Sequence, residues 1–146
     1  MANEVLWATT TQASLQTSGA SCASNAFVSG GSLTTGQHSN YVGGDLVLTG
    51  TMAASIAAAS NYFAVYARSH NIDGTADSPV PGASFRGGYL GNIYFAGSGA
   101  SGGQTGILAD VQTSPLGDVE FYLENLTNAT MNAGWTLKFT PKTRKT

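Results

Sequence analysis

The chain of 146 residues is built mainly from small side chains: Ala, Gly, Thr, Ser and Asn, at 20, 19, 17, 15 and 9 copies, fill more than half of it. Charged residues make up only 10%, against about 25% in an average soluble domain, and the net charge is -2. That balance argues against the electrostatic footprint of a nucleic-acid binder, and a single cysteine, Cys22, excludes an intramolecular disulfide framework.

Residues 1–10 contain no basic side chain and no long apolar run, so no secretory leader is expected and synthesis in a cytoplasm is. Nothing approaches the ~20 consecutive apolar residues of a membrane helix. Short strand candidates lie at 5–10 and 26–29. Apart from Leu15, Phe27, Val28 and Leu33, residues 8–40 are almost wholly small and polar, with no charge at all. Such a stretch buries too little apolar surface to order itself. Residues 1–40 are therefore expected to be an extended arm, or long loops with one or two short strands, lying against something else. Deleting residues 1–35 is expected to leave the remainder folded while weakening assembly.

From 41 to 146 the pattern changes. Residues 45–51 place Leu46 and Leu48 on one face and Val47 and Thr49 on the other; residues 52–59 suit either a helical turn or a tightly packed strand. Residues 62–68 set Phe63, Val65 and Ala67 opposite Tyr62, Ala64 and Tyr66. After a turn-rich break at 71–82, further strands fall at 89–96 and 106–112, the latter with Ile107, Ala109 and Val111 on one face. Alternation is clearest at 119–124 and 135–140, where each segment has an apolar and a wet face. Residues 125–134, rich in Asn and Thr, form a loop between these strands, and Pro141 is expected to end the last one. Short strands split by turn signals predict an all-β fold, a single-domain antiparallel β-sandwich, jelly-roll or barrel, carrying the N-terminal arm.

Few motifs carry chemistry. Residues 97–102 fit G-x-G-x-x-G, but another strand candidate follows where a phosphate-binding helix is required. Gly99, Ser101 and Gly103 fit G-x-S-x-G without the strand-to-helix elbow of a hydrolase. His38 and His70 lack metal-pair spacing, and Asp73 to Asp77 reads as a turn rather than a calcium loop. Asn125-Leu126-Thr127 and Asn128-Ala129-Thr130 match the N-glycosylation pattern, yet without a secretory route they are loop composition. Lys138, Lys142, Arg144 and Lys145 concentrate basic charge near the C-terminus, as a solvated tail or a contact for an acidic partner. Cys22 reads as an inert thiol. Tyr41, Tyr62, Tyr66, Tyr89, Tyr94, Trp7 and Trp135 include candidates for a sugar-stacking platform, although core packing accounts for several. No catalytic, cofactor-binding or metal-ligating residue is assigned, and no enzyme is expected.

The run Asp118-Val119-Glu120-Phe121-Tyr122-Leu123-Glu124-Asn125, then Thr127, Ala133-Gly134-Trp135-Thr136-Leu137 and Thr140-Pro141-Lys142-Thr143, resembles the end of small structural proteins of tailed-bacteriophage virions, closest to capsid decoration (cement) proteins. The likeness covers roughly 25 residues. It implies a compact, jelly-roll-like β-fold on the outer capsid surface, with the major capsid protein as partner and a homotrimer as the usual state. It implies no catalytic residue, no cofactor, and neither nucleic acid nor membrane as partner. A charge-poor face suits this role, because it costs little to desolvate against a protein lattice, and repeated small contacts supply avidity. A tail or head-fibre component, and a carbohydrate-binding β-sandwich or adhesin, are the alternatives.

Overall fold

Alternating side chains give each strand one face to bury, and two sheets satisfy that need by packing face to face. The computed structural model describes residues 5–7, 12–34, 43–70, 78–96, 102–112 and 118–144. These form nine strands, β1 (Val5–Trp7), β2 (Ala13–Gly19), β3 (Phe27–Leu33), β4 (Gly43–Thr51), β5 (Tyr62–Ser69), β6 (Tyr89–Tyr94), β7 (Gly103–Gln112), β8 (Val119–Asn125) and β9 (Trp135–Arg144), and the described residues include no helix. One sheet runs β1-β9-β4-β7, with β2 also paired to β9; the other runs β3-β8-β5-β6. Every pairing is antiparallel, and the whole is an all-β sandwich.

One core joins the sheets. Leu46 and Leu48 of β4 and Trp135, Leu137 and Phe139 of β9 meet Phe63 and Val65 of β5 and Phe121 and Leu123 of β8, all buried. Each such side chain contributes about 1.5–3 kcal/mol of burial. The alternation at 62–68, 119–124 and 135–140 is thus the inward and outward faces of β5, β8 and β9.

Residues 13–33 differ from the expected arm. They supply β2 to one sheet and β3 to the other, along β9 and β8. The surface this stretch lies against is the chain's own. Small residues are required there: a Cβ at Gly19 would overlap the Trp135 indole, and one at Gly31, which has φ 90°, would meet the Leu15 carbonyl. Their scarcity of apolar side chains therefore reflects close approach of backbones.

Four local features also depart from expectation. Residues 52–59 are neither helix nor regular strand; Met52 and Ile56 are buried, and the Ala53 N–H donates to Thr130 O at 2.8 Å. In β7, Ile107 and Ala109 face solvent while Val111 is buried. The pairs Gly44↔Val111 and Leu46↔Leu108 set one β4 residue against two on β7, and this bulge, with Asp110 at φ 56°, reverses the faces. Pro141 does not end β9, which continues to Arg144. It falls between the β2 pairing, ending at Ala13↔Phe139, and the β1 pairing, beginning at Trp7↔Lys142, so on that flank its missing N–H interrupts neither strand. Finally, residues 126–134 carry the chain from one sheet to the other and are not a hairpin turn.

Candidate functional site

The outward face of β3-β8-β5-β6 carries a row of polar and aromatic side chains, placed there by strand alternation and, for Tyr89, by a bulge in β6 between Gly91 and Tyr89. Register aligns Phe27, Glu124, Ala64 and Asn92 in one row across the four strands, and Ser29, Tyr122, Tyr66 and Tyr89 in the next. Tyr62 and Tyr94 pair at one end, and Glu120 and Arg68 at the other.

Glu124 is the pivot. Although 1% exposed, it receives Arg86 Nη2 at 2.6 Å on Oε1 and the Tyr66 hydroxyl at 2.7 Å on Oε2. Arg86 holds its carboxyl below the usual carboxylate range; burial opposes this and the Tyr66 bond assists. Burial, with the carboxylate beside it, pushes the Tyr66 hydroxyl up to about 12. The Arg86 guanidinium also lies over the Phe27 ring, 5.8 Å from its centre. Glu120 accepts Ser29 Oγ at 3.2 Å and Arg68 Nη1 at 3.4 Å, with His70 Nε2 3.6 Å away. Burial and Glu120 raise the Tyr122 hydroxyl.

This grouping holds Ser, Glu and His, but the hydroxyl bonds the carboxylate, whereas activating a serine requires the imidazole between them. Glu120 and Glu124 are four residues apart on one strand, roughly 13 Å, which exceeds the separation of paired glycosidase carboxylates. Both carboxylates are matched with cations, Glu124 with Arg86 and Glu120 with Arg68.

Edge strand β6 ends the face with Tyr89 and Tyr94, 54% and 57% exposed. Of the other aromatic candidates, Tyr66 and Trp135 are buried and Tyr62 is half-buried. Trp135 is a core residue whose Nε1–H donates to Ala20 O at 2.7 Å.

The remaining motif residues have structural roles or lie elsewhere. Tyr41, His38, residues 73–77 and 97–101, and Lys145 lie outside the described residues. Among the described residues no group of three or more His, Cys, Asp or Glu is placed to hold a metal, and no helix is long and apolar enough to cross a membrane. Cys22 is buried, and burial raises its thiol. Asn125, the first glycosylation match, has no exposed surface. Its amide donates to Cys22 O and Ala129 O at 2.9 Å each, and its oxygen accepts the Thr127 N–H at 3.0 Å. Asn128 is exposed and accepts the Ala57 N–H at 2.8 Å.

Lys142 is not part of a solvated tail. Buried on the outer face of the five-stranded sheet, it meets Asp45 at 2.7 Å and Asp110 at 2.8 Å. Burial works against its charge, but the two carboxylates outweigh it and hold the ammonium above the ordinary lysine value. Asp45 also accepts the Asp110 N–H at 2.9 Å, pinning the β7 bulge.

No family model, curated protein or solved structure matches the chain.

Proposed function

We propose that the chain is a non-enzymatic structural protein of a bacteriophage virion, a decoration or cement protein that binds the outer capsid surface and braces capsomer junctions. Its partner is the major capsid protein, and it acts as a self-associated trimer. The observation that carries this reading is where its few charges go: Lys142 is matched with Asp45 and Asp110, Arg86 with Glu124, and Arg68 with Glu120. Docking the described part of this surface strips water from few unpaired charges, which keeps the desolvation cost low. The strand orders lend support, because counting β1 and β2 as one interrupted strand along β9 leaves two four-stranded sheets in a jelly-roll-like arrangement.

The test mixes the purified chain with expanded capsids that lack it and sediments the mixture. Saturable co-migration is the expected result, with light scattering of the free protein giving a trimer's mass. Absence of binding to such capsids overturns the reading.

A further inference from the structure

Tyr89 and Tyr94 do not hang free from the edge of the sandwich. The Tyr89 hydroxyl donates to Asn92 Oδ1 at 2.9 Å, and Asn92 Nδ2 donates to the Tyr94 hydroxyl at 3.3 Å, so one amide ties both rings. Each ring also rests on a tyrosine of β5: Tyr94 on Tyr62 with centres 5.5 Å apart, Tyr89 on Tyr66 at 5.7 Å. Between these pairs the register sets Asn92 beside Ala64, whose small side chain leaves the row low at its middle. Two aromatic rings are thus backed on one side, tied at the hydroxyl, and still more than half exposed. Little conformational freedom remains for a ligand to remove.

The chemistry of this row is specific. Ring faces accept the C–H face of a pyranose, while tyrosine hydroxyls and a carboxamide donate to and accept from its hydroxyl groups. None of Tyr62, Ala64, Tyr66, Tyr89, Asn92 and Tyr94 is charged, and Arg86, which reaches the row through Glu124, is already bound by that carboxylate. Among these six side chains nothing selects a phosphate, sulfate or uronate. A bulge sets the five-residue step from Tyr89 to Tyr94 against the four-residue step from Tyr66 to Tyr62, about 13 Å of strand, enough for more than one sugar ring. We propose that the β6 edge is a binding platform for a neutral polysaccharide, stacked on Tyr89 and Tyr94 with Asn92 between them. This does not rest on capsid docking.

The test is native affinity electrophoresis of the whole chain in gels containing hydroxyethyl cellulose, dextran or galactomannan, with alginate as the anionic comparison. Retardation by at least one neutral polymer is expected, weakened about tenfold by Tyr89→Ala or Tyr94→Ala with an unchanged circular-dichroism spectrum. Asn92→Ala, which frees both hydroxyls but keeps the rings, should weaken it less. A measurement needing no variant is nitration by tetranitromethane, from which the retarding polymer should protect Tyr89 and Tyr94. Retardation by none of the three neutral polymers, retardation by alginate alone, undiminished retardation of a variant carrying both Tyr89→Ala and Tyr94→Ala, or unprotected tyrosines would each overturn the proposal.

Discussion

Replacing Asn125 with alanine tests whether one buried amide joins the end of β8 to the crossing into β9. Three hydrogen bonds converge on this side chain, two donated, to Cys22 O and Ala129 O, and one accepted, from the Thr127 N–H, and the single proton of the Thr127 hydroxyl is divided between Asn125 Oδ1, at 2.7 Å, and Ala129 O. After truncation, Cys22 O keeps the Met131 N–H at 2.9 Å and Ala129 O keeps the Thr127 hydroxyl at 2.8 Å. The Thr127 N–H loses the acceptor it has here. At a net of about 1 kcal/mol for each of the three bonds, with about 1–3 kcal/mol for the orphaned buried donor, the loss is about 4–6 kcal/mol. A domain of this size has about 5–15 kcal/mol in all, so the midpoint of urea unfolding should fall steeply. Asn128→Ala is the control, because that exposed side chain accepts one N–H at 2.8 Å and donates one longer bond, to Ser55 O at 3.4 Å; its cost should be about 1 kcal/mol or less. Equal losses for the two variants, or less than about 1 kcal/mol for Asn125→Ala, would refute the clamp.

The remaining expectations use the same stability assays. Deleting residues 1–35, which include β2 and β3, strips β8 and β9 of their outer partners and removes buried Leu33 and Cys22; a chain that loses its β-spectrum or aggregates is now the expected outcome, and a cooperatively unfolding sandwich would contradict it. Glu124 has its folded pKa lowered, so its stabilising contribution is complete above the ordinary carboxylate value and disappears as pH falls through the lower folded value. Glu124→Gln should therefore be less stable near neutrality and lose less on acidification, and identical acid profiles would disprove the linkage. Tyr66 is the reverse case: its raised pKa contributes stability below about 10 that is lost as pH climbs to about 12, so Tyr66→Phe should flatten the alkaline limb of the profile. Gly19→Ala should cost about 1–3 kcal/mol by forcing the Trp135 indole to move, readable as a shift of the thermal midpoint.

Legibility in the sequence followed burial. Strands β5, β8 and β9 lie between neighbours on both sides and each turns an apolar face to the core, so their alternation is plain. In β2 and β3 the apolar signal is faint, because Gly19 and Gly31 leave room for other groups and add none of their own. That requirement comes from the partner surface and leaves no periodic trace. In β7 the bulge changes phase within the strand, so period two misplaced Ile107. Lys142 was within reach: carrying the alternation of 135–140 past Pro141 sets it on the face of Lys138, away from the core. Treating Pro141 as a terminator concealed this, since a proline is tolerated where its flank carries no ladder bond. The Arg86–Glu124 pair was invisible for another reason. It joins positions 38 residues apart through a turn at residues 82–85, and only the fold brings them together.

A chain with so few charges has two ways to use them. Spread over the surface, they maintain solubility and repel other copies; paired within the sheets, they fix register and leave the surface to Ser, Thr and Asn. This chain does much of the second. Lys142 ties β9 to β4 and β7, Arg68 ties β5 to β8, and Arg86 ties the segment before β6 to β8. An exposed ion pair would contribute about 1 kcal/mol or less, but Glu124 and Asp45 are buried, and losing one partner of a buried carboxylate costs more than the pair contributes. The pairs therefore select one register and leave fewer unpaired charges among the described residues. Small residues serve the same packing: Gly19 lets β2 lie against the Trp135 ring and Gly31 lets β3 approach the Leu15 carbonyl.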